Sequence, residues 1–279
     1  MDIRTNIDFA GASGVLIGAS TKDDSKIQLF SLATDTGELL DIPGAPIITK
    51  AEDETYGFCF FKSPMSGEMY AITTDKSGLI EQWALTARAG GGVDSRRVRQ
   101  LRVDTQPEGC VADDANSALF VGEEDVGIWR FNAEPSDVDA KTLIARTGVG
   151  DIEGARLSAD VEGLAIYAPK PNAPQTGYLI ASSQGDHTYA LFDRASPHSW
   201  HGTFQISFNG ALVGDTDGLA VTASPVGPSY PSGMLVVQDG VYKKPGRAER
   251  NQNFKYVSWA KISAALEIDQ PSTGTQSTD

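Results

Sequence analysis

At 279 residues the chain is long for one ordinary domain and short for two, and its 40% hydrophobic content supports a folded core. Its 37 acidic against 23 basic residues give a formal charge of -14, which excludes binding to bare nucleic acid or an anionic membrane by bulk electrostatics. No run approaches the roughly 18 apolar residues of a membrane-crossing helix, so none is expected.

The first residues, Met1-Asp2-Ile3-Arg4, have neither a basic leader nor an apolar run, so no signal peptide is expected in them. From there the chain is built of short apolar or alternating runs separated by turn residues, with little helical periodicity. Five stretches share one longer pattern of strand, polar loop and second strand. They start at Gly14, Glu68, Ser117, Gly177 and Gly233, which are 54, 49, 60 and 56 residues apart. A second marker keeps the same beat. A polar residue and a glycine precede an apolar strand at Tyr56-Gly57, Glu108-Gly109, Glu162-Gly163 and Asp217-Gly218, with the glycines 52, 54 and 55 residues apart. Asp2 stands 54 residues before Tyr56 and is expected in the same slot.

A unit near 54 residues with about four short strands is the signature of a β-propeller blade. A sandwich or solenoid would have to produce two in-phase markers by accident. The expected fold is therefore all-β, a propeller with about five recognisable blades over residues 1–268. A short helical run follows the last blade at residues 260–266, and the polar tail 269–279 is expected to be disordered. Cys59 and Cys110 each lie in an apolar stretch and are expected to be two buried thiols rather than a disulfide or a metal site. His187, His198 and His201 have neither ligand nor triad spacing.

Equivalent residues in successive blades converge on the channel of a propeller. The residues before the glycines therefore form a ring of Asp2, Tyr56, Glu108, Glu162 and Asp217, with Asp160 and Asp215 beside it. The strand-to-strand loops add Lys22, Lys76 and the run Glu123-Glu124-Asp125. Each carboxylate alone could simply cap a turn. Several in phase would repel one another unless a cation neutralised them. An oxygen-only donor set suits a hard ion such as Ca²⁺, and the lack of clustered His and Cys argues against zinc or copper. Lysines beside such a ring point to a strongly anionic ligand, phosphate being the obvious one.

At these residues the sequence resembles the β-propeller phytases, the calcium-dependent alkaline 3-phytase type. The matching stretches are Asp53-Glu54-Thr55-Tyr56-Gly57-Phe58, Thr74-Asp75-Lys76-Ser77-Gly78, Glu108-Gly109-Cys110-Val111-Ala112-Asp113-Asp114 and Gly122-Glu123-Glu124-Asp125-Val126-Gly127-Ile128-Trp129. Further on they are Asp160-Val161-Glu162-Gly163-Leu164, Ala181-Ser182-Ser183-Gln184-Gly185, Asp215-Thr216-Asp217-Gly218, Gln238-Asp239-Gly240 and Asn251-Gln252-Asn253-Phe254-Lys255. The resemblance implies a six-bladed propeller that hydrolyses myo-inositol hexakisphosphate with several Ca²⁺ ions. It implies Glu108, Glu124, Tyr56 and Asp160 as catalytic residues, and Lys76, Lys22, Glu162 and Asp217 as substrate-binding. Calcium ligands are expected among Tyr56, Glu108, Glu124, Asp160, Glu162 and Asp217, with Asp2, Asp215, Asp239 and Asn253 in further metal roles.

Three departures stand out. Lys22 occupies the place of a phosphate-binding arginine, and it keeps the charge without the bidentate fork. Ser77 stands where the family has an acid. An upstream Asp-Asp-Pro segment and a lysine-rich loop are not found in this chain, so it reads as a phytase without its N-terminal segment. Two functions are therefore carried forward. One is Ca²⁺-dependent hydrolysis of phytate by metal-activated water. The other is a propeller that binds Ca²⁺ and inositol phosphates without turnover. The expected partner is a small molecule, calcium phytate, with no nucleic acid and no membrane, and the chain is expected to be a monomer. The resemblance places it outside the cell or in the periplasm.

Overall fold

A computed structural model of the chain describes residues 1–135, 138–148, 154–170, 173, 175–241 and 252–268. The tail 269–279, expected to be disordered, lies outside the described residues. The chain is all-β, of the β-propeller class, with five blades among the described residues. It divides into two compact units, Met1–Leu143 and Ile144–Asp279.

In the first unit, blade one holds β1 (Asp2–Phe9), β2 (Ala12–Thr21), β3 (Lys26–Ala33) and β4 (Glu38–Asp41), with β5 (Ile47–Ile48) also pairing β3. Blade two holds β6 (Thr55–Lys62), β7 (Met69–Asp75), β8 (Leu79–Ala87) and β9 (Val93–Arg102) in that order. Blade three holds β10 (Pro107–Asp113), β11 (Ala118–Glu123), β12 (Gly127–Asn132) and β13 (Lys141–Thr147), with the division between the units inside β13. The short β14 (Ala155–Leu157) lies parallel to β13.

In the second unit, blade four holds β15 (Val161–Tyr167), β16 (Tyr178–Ser183), β17 (Thr188–Asp193) and β18 (Trp200–Phe204). A small hairpin, β19 (Ser207–Phe208) and β20 (Ala211–Leu212), follows. Blade five holds β21 (Leu219–Thr222), β22 (Met234–Asp239) and β23 (Asn253–Ser258), and helix α1 (Trp259–Ala265) closes it. Within each blade, successive strands from β1 to β4, β6 to β9, β15 to β18 and β21 to β23 pair antiparallel.

Burial follows from position in the blade. The second strands β7 and β11 are buried at every residue, including the acids that end them, Asp75 and Glu123. The last strands β4 and β9 are largely exposed and carry charge. The period of two divides β6 between two cores. Phe58 and Phe60 pack with Leu16, Leu29 and Trp83 of blades one and two, whereas Cys59 and Phe61 pack with Cys110, Leu119 and Val121 of blade three. In the second unit Tyr167, Ile180, Leu191, Leu235 and Val237 form the corresponding core between blades four and five. Trp259 at the start of α1 stacks on Tyr167 there, with ring centroids 3.5 Å apart.

The cysteines correct the sequence expectation. Cys59 and Cys110 are joined in a disulfide with Cα atoms 5.8 Å apart. They belong to β6 and β10, the first strands of adjacent blades, so residues 51 apart in sequence meet face to face across the sheet packing.

Candidate functional site

The glycine marker read from the sequence is a β-bulge. The pairing of β6 with β7 shifts register between Thr55 and Phe58, that of β10 with β11 between Pro107 and Cys110, and that of β15 with β16 between Val161 and Leu164. The residues passed over are Tyr56-Gly57, Glu108-Gly109 and Glu162-Gly163. A bulge releases one residue from the ladder and re-aims its side chain, which is why the polar residue of each pair leaves the alternation of its strand. Asp217-Gly218 stands just ahead of β21.

The glycines are needed for close approach. A Cβ on Gly57 would lie 2.4 Å from the carbonyl oxygen of Glu108, and one on Gly163 would lie 2.7 Å from that of Asp217. The Gly163 N–H donates to the Asp217 carbonyl at 2.9 Å. Each marker thus rests on the backbone of the next one in its unit, Tyr56 beside Glu108 and Glu162 beside Asp217. A hydroxyl near the end of the second strands β2, β7 and β16 fastens the corresponding joint. Ser20 donates to the Tyr56 carbonyl at 2.9 Å, Thr74 to that of Pro107 at 3.1 Å, and Ser182 to that of Thr216 at 3.0 Å.

In the first unit, Lys22 follows β2 and sets its ammonium 3.7 Å from the centre of the Tyr56 ring, while that of Lys76 stands at 5.6 Å. Lys76 also pairs with Glu54 at 2.5 Å. The hydrogen bond from Lys76 holds the Glu54 carboxyl below its ordinary range, and the same bond raises the Lys76 ammonium. Buried Asp75 shapes this loop by accepting from the backbone N–H groups of Glu52, Ser77 and Leu79 at 2.7, 2.9 and 3.1 Å. Glu108 is 4% exposed, and its carboxylate accepts from the side-chain amide of Gln106. Glu124 donates its backbone N–H to the Gln106 carbonyl at 3.0 Å. Its neighbour Glu123 turns inward and is fully buried. It accepts from the Thr105 hydroxyl at 2.8 Å and from the Trp129 indole, a structural role distinct from that expected of Glu124.

In the second unit, the side-chain amide of Gln184 donates to Asp217 at 2.9 Å and reaches Glu162 at 3.5 Å. Its backbone N–H donates to the Asp160 carbonyl at 2.9 Å. Gln184 therefore ties the backbone of Asp160 to the carboxylates of Glu162 and Asp217. Asp215 lies nearby in the left-handed region with φ 52°, its N–H on His187 Nδ1 at 3.3 Å. Asp239 and Asn253 face each other across β22 and β23. Asp239 is paired with Lys255 at 2.8 Å in a buried setting, and the Asn253 side chain accepts from the Phe254 N–H at 2.7 Å.

Asp2 does not join the ring. It pairs opposite Gly18, the register position that Cys59 occupies opposite Ile72 one blade later. Its carboxylate accepts from the Phe60 N–H at 2.8 Å and from Arg4 at 2.7 Å. The 54-residue spacing misaligned it by three residues, because β1 enters blade one past the point where a bulge would fall.

The donors gathered are carboxylates in both units, with the Tyr56 phenol added in the first, a hard set that fits calcium or magnesium rather than a soft metal. Among the described residues no group of three or more His, Cys, Asp or Glu stands close enough to hold an ion by itself. Phosphate oxygens and water would have to complete a coordination shell. Gln106 and Gln184 escaped the sequence reading. A lone amide in a loop breaks no pattern, and only its place next to a marker acid could have flagged it.

A sequence model described as Phytase matches residues 1–276. The 3-phytase of Bacillus subtilis (strain 168) is 38% identical over 272 residues, which cover 95% of this chain and 69% of that protein. The solved Dos1 propeller is a remote likeness, with TM-score 0.42 and 11% identity over 82% of this chain, which spans 50% of the length of that one.

Proposed function

This chain belongs to the phytase family, and we propose that it is a calcium-dependent phosphomonoesterase that releases phosphate from myo-inositol hexakisphosphate. One observation carries the reading. The same bulge places Tyr56 and Glu108 in one unit, and Glu162 in the other beside Asp217, with Lys22 and Lys76 on the phenol. Lysines supply charge for a polyanion, and the acids supply oxygen ligands for the cations that make the anion tolerable on a chain of charge -14.

Tyr56, Glu108 and Glu124 in the first unit and Asp160, Glu162 and Asp217 in the second are the residues that would hold calcium. Bound calcium would draw charge from the phosphoryl oxygens and favour ionisation of a water. Lys22 and Lys76 hold phosphate. Buried Glu108 keeps its carboxylate directed by Gln106 and is the residue best placed to orient a water on the first unit's side. The Cys59–Cys110 disulfide suits an oxidising compartment, which supports a location outside the cytoplasm.

A second reading, retention of calcium and inositol phosphates without turnover, is favoured by the lack, among the described residues, of three or more acids close enough together to hold an ion. Phosphate release from calcium phytate, with and without a chelator, separates the readings. Calcium-dependent release supports the enzyme. Chelator-insensitive release would overturn the calcium mechanism, and binding with no release would establish the second reading.

A further inference from the structure

We propose that Gln106 is a positioning residue for the two acids of the first unit, its side chain orienting Glu108 and its backbone carbonyl anchoring Glu124. The inference rests on the phytase reading and extends it to a residue outside the motifs.

The bulge at Glu108-Gly109 frees the Glu108 side chain from the ladder of β10, so the strand no longer dictates its direction. Gln106 supplies that direction. Its amide N–H donates to one Glu108 oxygen, a charge-assisted bond of the strong class. Its carbonyl accepts the Glu124 N–H at 3.0 Å, so the turn after β11 is tied to the residue that holds Glu108. The segment is itself registered one residue earlier. Both the N–H and the hydroxyl of Thr105 donate to buried Glu123, at 2.5 and 2.8 Å. Glu123 and Glu124 are adjacent, as are Thr105 and Gln106, so the two contacts form one clasp.

The choice of an amide has a chemical reason. A lysine or arginine at position 106 would fix the carboxylate equally well but would cancel its charge. Glutamine orients Glu108 and leaves the negative charge available to a cation.

The test uses the full chain and three measurements. Gln106→Met keeps the volume and the backbone bond to Glu124 but removes the donor. Calcium titration by calorimetry, with no phytate present, should show affinity about tenfold weaker than the parent at the site Glu108 serves, by the loss of a bond of this class. With saturating calcium, kcat on calcium phytate should fall about tenfold, by the same reasoning, while KM changes less than about twofold. The midpoint of thermal unfolding in chelator should stay within a few degrees of the parent. Should Gln106→Met fail to fold, Gln106→Glu, which presents Glu108 with an acceptor at similar volume, should lower kcat at least as far. Unchanged calcium affinity and unchanged kcat in a folded variant would overturn the proposal. Calcium binding weakened in Gln106→Met while the parent releases no phosphate would uphold the positioning role and reject the phytase reading.

Discussion

The two units use one backbone device for different ends. In each, a bulge glycine rests on the carbonyl of the next acidic marker, Gly57 on Glu108 and Gly163 on Asp217. Both hold acids on a neutral amide, Gln106 on Glu108 and Gln184 on Glu162 and Asp217, yet the first unit also sets cations on its marker, Lys22 and Lys76 on Tyr56. The first is also stapled by a disulfide between the strands that carry Tyr56 and Glu108, and the second contains no cysteine. A repeated fold sets where side chains point, and the residue at each repeat decides whether that position attracts an anion or a cation.

The largest effect expected from breaking this asymmetry is on stability. The disulfide closes a loop between residues 51 apart, and on the chain-entropy account it contributes about 4 kcal/mol. The double variant Cys59→Ser/Cys110→Ser should therefore open the first unit while leaving the second protected. Hydrogen exchange followed unit by unit reads this directly. Equal loss of protection in β15–β17 would show that the staple does not act on the first unit alone.

A smaller effect asks whether the shared device is equally tight in both places. A Cβ at Gly57 meets the Glu108 carbonyl at 2.4 Å and the Thr74 hydroxyl at 2.6 Å, whereas at Gly163 the nearest atoms are at 2.7 and 3.0 Å. Neither glycine has a positive φ, so the cost is overlap rather than backbone strain. Gly57→Ala should lose about 1–3 kcal/mol by denaturant unfolding, in the range of overpacked sites, and Gly163→Ala less. The reverse order would mean that the first unit yields more easily despite its staple.

The comparison also explains what could be read without coordinates. The strands and the beat of the glycines were legible because burial imposes a period of two and the bulge demands a small residue at one phase. Lys22, Lys76 and Glu124 could be placed because they follow the ends of β2, β7 and β11. Asp2 was misplaced because spacing carries no register, and only the pairing with Gly18 shows it opposite the wrong position. The disulfide was missed although its separation of 51 residues is close to one blade repeat, a signal that two thiols lie on adjacent first strands. The roles of Gln106 and Gln184 depend on which acid lies within reach of an uncharged amide, and no periodicity encodes that.

The smallest effect separates the units by alkaline pH. In the first unit burial, followed by the contact with Glu68, pushes the Tyr70 phenol up to about 12. In the second, burial raises Tyr167 and Tyr189 still further. An unfolded tyrosine ionises near pH 10. Above that pH the unfolded chain releases a proton that the folded chain keeps, so the folded state binds more protons and stability falls as pH rises. The contribution of neutral Tyr70 is complete below pH 10 and is lost by about pH 12, while the loss from Tyr167 and Tyr189 continues beyond it. Tyr70→Phe and Tyr189→Phe should each flatten the decline in urea midpoint between about pH 10 and 11.5, since both remove a phenol that ionises only when unfolded. Only the Tyr189 variant should still differ in slope from the parent above about pH 12, where Tyr70 ionises in both states. A Tyr70→Phe chain with the parent's slope from pH 10 upward would show that this phenol is already ionised, or already exposed, in the folded first unit.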